Sequence, residues 1–99
     1  MNPKTETMNR EKAEEMAVSI FVWLTGREEL LSRFLALSGL TATGLRQASS
    51  DPGFLGGIVD FVMAHEPTLM EFCKDSGFRP ESVAASHHAL NGGEADPWM

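Results

Sequence analysis

A single cysteine, Cys73, is all that 99 residues contain, so no disulfide can form within the chain. Long apolar runs are missing too. The longest, from Ile20 to Leu24, falls far short of the ~20 residues that a bilayer span needs, so no membrane partner is expected. A secretory signal is basic and then apolar, whereas MNPKTETMNREKAEEM is polar and acidic, which points to a cytoplasmic protein. Cations are scarce in one half only. Residues 1–50 hold six basic and six acidic side chains, while residues 51–99 hold Lys74 and Arg79 against eight carboxylates, giving the net charge of −6. A surface of that sign repels phosphate backbones and anionic lipid, which disfavours nucleic acid as a partner.

Catalytic and metal-binding patterns are absent as well. There is no G-x-S-x-G elbow, no phosphate-cradling glycine loop and no H-E-x-x-H. His65, Cys73, His87 and His88 match no zinc spacing, and no second cysteine lies near Cys73. Neighbouring residues on a helix point about 100° apart, so Glu14 with Glu15 and Glu28 with Glu29 form no proton-sharing dyad. No enzymatic activity, cofactor or metal is expected. Cys73 reads as a small core residue, and His87 as a histidine near a helix end, where the negative end of the dipole favours its charged form.

The chain does have helical periodicity throughout. With 42% hydrophobic and 22% charged residues it is an ordinary globular domain. Its organising stretch is DPGFLGGIVDFVMA, from Asp51 to Ala64. Asp51 suits an N-cap and Pro52 the first helical position. Phe54, Leu55, Ile58, Val59, Phe61 and Val62 then spread apolar groups over most of the circumference, so this helix should be buried. Gly56 and Gly57 weaken it by about 1 kcal/mol each, which points to another backbone passing close by.

Five further helices are expected around it. The first runs from about Asn9 to Thr25 with Ala13, Met16, Ala17, Ile20, Phe21 and Leu24 on its buried stripe, and should stop as Gly26 turns left-handed. The second, residues 27–37, puts Leu30, Leu31, Phe34, Leu35 and Leu37 inward and ends at Ser38-Gly39-Leu40, a Schellman pattern. Thr41 caps a short third. After the central helix, Pro67 opens a fifth carrying Leu69, Met70, Phe72 and Cys73, which ends at Ser76-Gly77-Phe78. Pro80 opens a sixth, which stops at Asn91-Gly92-Gly93. Residues 1–8 are expected to be disordered, residues 9–91 to form the helical domain, and residues 92–99 to be a flexible tail.

Displaced by 38 residues, the chain lies on itself without a gap. Ile20 meets Ile58, Glu28 meets Glu66, Leu31 meets Leu69, Phe34 meets Phe72, and Ser38-Gly39 meets Ser76-Gly77. The expected fold is therefore all-α, a six-helix single domain built from two tandem three-helix repeats, about 16–49 and 54–87.

Three stretches, RFLALSGL, DPGFLGGIVDF and F-x-x-x-S-G-F-x-P-E, resemble an uncharacterised family of small alphaproteobacterial proteins, the domain-of-unknown-function family numbered three-five-seven-two. The resemblance covers roughly residues 11–90. It implies a bacterial, cytoplasmic, helical protein and supplies no activity, substrate, cofactor or site.

What is left for function is a surface. Val18 and Val22 lie roughly opposite Ala17 and Phe21 on the first helix, and Trp23 stands at the edge of the buried stripe. The expected function is a protein–protein interaction module using Val18, Val22 and Trp23, with Trp23 as the anchor and either an unknown protein or a second copy as partner. The rival is that other helices cover Val18 and Val22. A helix-turn-helix nucleic-acid binder is the alternative class, but its short helices offer little beyond Arg46 and Arg79 to a groove.

Overall fold

The computed structural model describes residues 8–91. They form α1 (Arg10–Thr25), α2 (Glu28–Ser38), α3 (Ala42–Ala48), α4 (Pro52–Met63), α5 (Glu66–Ser76) and α6 (Pro80–Asn91), with no strand among the described residues. None of these helices is long and apolar enough to cross a membrane. The expected disorder of residues 1–8 and the flexible tail 92–99, Trp98 included, lie outside the described residues, apart from Met8. Its sulfur accepts a hydrogen bond from Ser86 Oγ on α6 at 3.6 Å.

Local chemistry sets the helix bounds. Asn9 Oδ1 accepts from the Lys12 amide at 2.8 Å, Thr41 Oγ1 from Gly44 at 2.9 Å and Asp51 Oδ1 from Gly53 at 2.8 Å, so three helices start on side-chain caps. Gly39 and Gly77 stop α2 and α5 at φ 79° and 85°. At the first of these, both the Gly39 and Leu40 amides donate to Leu35 O. At the second, Phe78 folds back to stack on Phe72, with ring centroids 5.9 Å apart. Gly26 departs from expectation. It ends α1 at φ −91°, and the Gly26 and Arg27 amides close tight turns onto Trp23 O and Leu24 O. No left-handed residue is needed, because the chain passes straight into α2.

The core lies where α1, α4 and α6 meet, with α2 packed on α1 and α5 on α4. Ile20, Leu24, Ile58, Val59, Val62, Phe72 and Val83 are fully buried there. An edge-to-face row of rings, Phe21 on Phe54, Phe54 on Phe34 and Phe34 on Phe61, ties α1, α4 and α2 together at centroid distances of 5.5, 6.1 and 5.4 Å.

Two glycines on α4 have different surroundings. Gly56 is buried, and Asn91 Nδ2, in the last turn of α6, donates to its carbonyl at 3.0 Å. A side chain, not the expected second backbone, makes the close approach. Gly57 faces open space.

The starts of α2 and α5, Glu28 with Glu66, and of α3 and α6, Ala42 with Pro80, keep the 38-residue displacement, as do the two left-handed glycines, whereas α1 and α4 start 42 residues apart, at Arg10 and Pro52. Packing does not follow for the third helices. The twelve-residue α6 lies against both α1 and α4, whereas the seven-residue α3 has at most slight contact with either. Val83 and Ser86 of α6 are completely buried as it packs against α1 and α4 together.

Candidate functional site

One side of α4, bordered at Asp60 by His87 of α6, forms one wall of a groove of about 660 Å³, with α2 as the other wall. Phe34, Phe54 and Phe61 make its floor, and Leu40 and Ala48, from either end of α3, reach its lining. Along α4, Gly53, Gly57, Asp60 and Ala64 recur at the three-and-four spacing of a single face, so the wall carries almost no side-chain bulk. Across from them stands Leu37. It was expected inward on α2, yet it is 73% exposed and lines the groove together with Gly53 and Gly57 of α4.

Most polar groups on the rim already have partners. Asp51 caps α4. Asp60 Oδ1 pairs with His87 Nε2 at 2.9 Å, and His65 Nδ1 with Thr68 Oγ1 at 2.7 Å. Ser38 Oγ donates to Leu35 O at 3.3 Å. Arg33 is exposed and pairs with none of the described residues. The lining is thus an apolar trough with one uncommitted cation at its edge.

The residues expected to form the interaction surface separate. Val18 and Val22, 48% and 62% exposed, stand one turn apart on the outer side of α1. Trp23 is not with them. Its ring packs edge-to-face on Phe72 at 5.4 Å, its Nε1 donates to Asp75 Oδ2 at 2.9 Å, and the Arg27 guanidinium sits 5.0 Å over it. Arg27 also pairs with Glu71 and Asp75, so this group joins the α1–α2 turn to α5. The Trp23 hydrogen bond, then the Arg27 charge, hold the Asp75 carboxyl below its ordinary range, and the Glu71 bond pushes Arg27 up. A shallower hollow of about 490 Å³ beside this cluster is lined by Thr25 to Leu30 and Glu71.

Cys73 is buried, and burial pushes its thiol up. His87 is half-buried against Asp60 rather than inside the core. Among the described residues no three His, Cys, Asp or Glu side chains gather as a metal site. The groove itself went unread in the sequence. Its one local signal was the stripe Gly53, Gly57, Asp60, Ala64 along an otherwise apolar helix.

Residues 10–93 match the family model described as "Protein of unknown function (DUF3572)", and the chain belongs to that family. No curated protein and no solved structure matches it.

Proposed function

From that membership, which assigns no activity, we propose that the chain is a protein-interaction module whose α2–α4 groove receives an apolar helix. The observation carrying this reading is an exposed Leu37 beside an aromatic floor and a wall of glycine and alanine. Small residues let a second helix backbone come close, and a helix laid in such a trough gains by covering what the fold leaves wet. Covering Leu37 alone is worth about 1–2 kcal/mol. The Val18 and Val22 face of α1 is the narrower alternative surface, since Trp23 is committed to α5 and gives it no anchor. For a nucleic-acid reading α3 brings only Arg46, against a net charge of −6.

The test is affinity capture from the source cell with three baits: the unaltered chain, Leu37→Glu, and Val18→Lys with Val22→Glu. The groove reading expects the captured protein to vanish with Leu37→Glu and to persist with the double change. Capture that survives Leu37→Glu overturns it.

A further inference from the structure

The groove carries a projection and an empty seat on one face. Leu37 stands out from α2, while a Cβ placed on Gly57 of α4 would meet nothing within 4 Å. Each has a charge about one turn away. Arg33 precedes Leu37 by four residues and pairs with none of the described residues; Asp60 follows Gly57 by three, is exposed, and gives only Oδ1 to His87. Knob, seat, cation and anion all line this one groove, and a two-fold rotation that brought Leu37 to Gly57 and Arg33 to Asp60 would make each contact twice.

We propose that the occupant of the groove is a second copy of this chain. Leu37 of each copy seats at Gly57 of the partner subunit, and Arg33 of each meets Asp60 of the partner subunit. The inference rests on the interaction reading above and narrows it. The opposite charges are what single out a second copy: a purely apolar helix would leave Arg33 unanswered, whereas this face supplies its own carboxylate. They also offset locally the repulsion between two chains of charge −6. The face is one helix long, about 18 Å, and roughly 20 Å across two packed helices. That is smaller than a standard interface of about 800 Å² per partner, so the dimer is weak and reversible.

Sedimentation velocity of the full chain, from low micromolar to submillimolar concentration, tests this. The unaltered protein should pass from monomer to dimer. Arg33→Glu and Asp60→Arg should each weaken association by at least about tenfold, because two attractive contacts become repulsive. An equimolar mixture of the two variants should recover it, since both contacts then pair opposite charges again. Leu37→Asn is the independent check, and circular dichroism should be unchanged for all three variants. A dimer indifferent to these changes, or a mixture that fails to recover, overturns the proposal. A monomer at every concentration also overturns it. Should Leu37→Glu still abolish capture of a different protein, the groove reading stands with a foreign helix as occupant.

Discussion

Gly56 and Gly57 are neighbours in α4, and their replacement by alanine should have unequal effects. Alanine gains about 1 kcal/mol over glycine in a helix interior. At Gly57 nothing opposes that gain, because the added Cβ enters open space, so unfolding should become harder by about 1 kcal/mol, roughly 4–8 °C in Tm. At Gly56 the new Cβ would lie 2.6 Å from Asn91 Oδ1, and the amide must swing away. It then gives up its bond to Gly56 O, worth about 0.5–1.5 kcal/mol, so gain and loss nearly cancel. Asn91→Ala alone should cost about 1 kcal/mol, and adding Gly56→Ala to it should cost nothing more and return part of the helix gain. The pair is therefore non-additive by about 1 kcal/mol. Thermal unfolding of the four variants, at concentrations low enough to keep the chain monomeric, reads this directly. Equal shifts for Gly56→Ala and Gly57→Ala, or strict additivity with Asn91→Ala, would refute the α4–α6 contact.

Gly39→Val and Gly77→Val should each destabilise by at least ~1 kcal/mol in chemical denaturation; no neighbour lies within 4 Å at either site, so the cost is the left-handed backbone alone. Val18→Lys with Val22→Glu should leave the far-UV spectrum and Tm nearly unchanged, since both side chains already face solvent; unfolding would place them in the core. The depressed Asp75 carboxyl contributes stability that is present above the ordinary carboxylate pKa and lost as pH falls below it, through the lower folded value. Trp23→Phe removes the main cause of that depression, so its acid unfolding, followed by circular dichroism, should begin at higher pH than that of the unaltered chain. Cys73 should resist alkylation at neutral pH in the folded chain and react readily in denaturant, because burial keeps it as the thiol.

What the sequence made readable was short-range. Thr41 and Asp51 announce helix starts, and Gly39 and Gly77 announce stops, because capping and positive φ are decided within a few residues. The stripe of Ile20, Leu24, Ile58 and Val62 marked the core for the same reason. Leu37 reads as inward because its neighbours in sequence are those of an inward leucine, whereas its exposure in the α2–α4 groove is set by how the helices pack, which local pattern does not carry. Trp23 reads as a surface residue in the sequence because nothing local shows that Asp75, Arg27 and Phe72 converge on it from α5 and the α1–α2 turn. That residues 16–49 and 54–87 are copies of one design is our proposal, supported by the coincident starts of α2 with α5 and of α3 with α6; the different seats of α3 and α6 weigh against it.

The most direct measurement of the groove's role is a photo-activated cross-linking side chain placed at Leu37 and expressed in the source cell, with the same group at exposed Glu15 on α1 as the control. A covalent adduct from position 37, absent from position 15, is the predicted result. Irradiation that links position 37 to no chain, while the protein is folded and present at native abundance, would contradict the α2–α4 groove as a binding face.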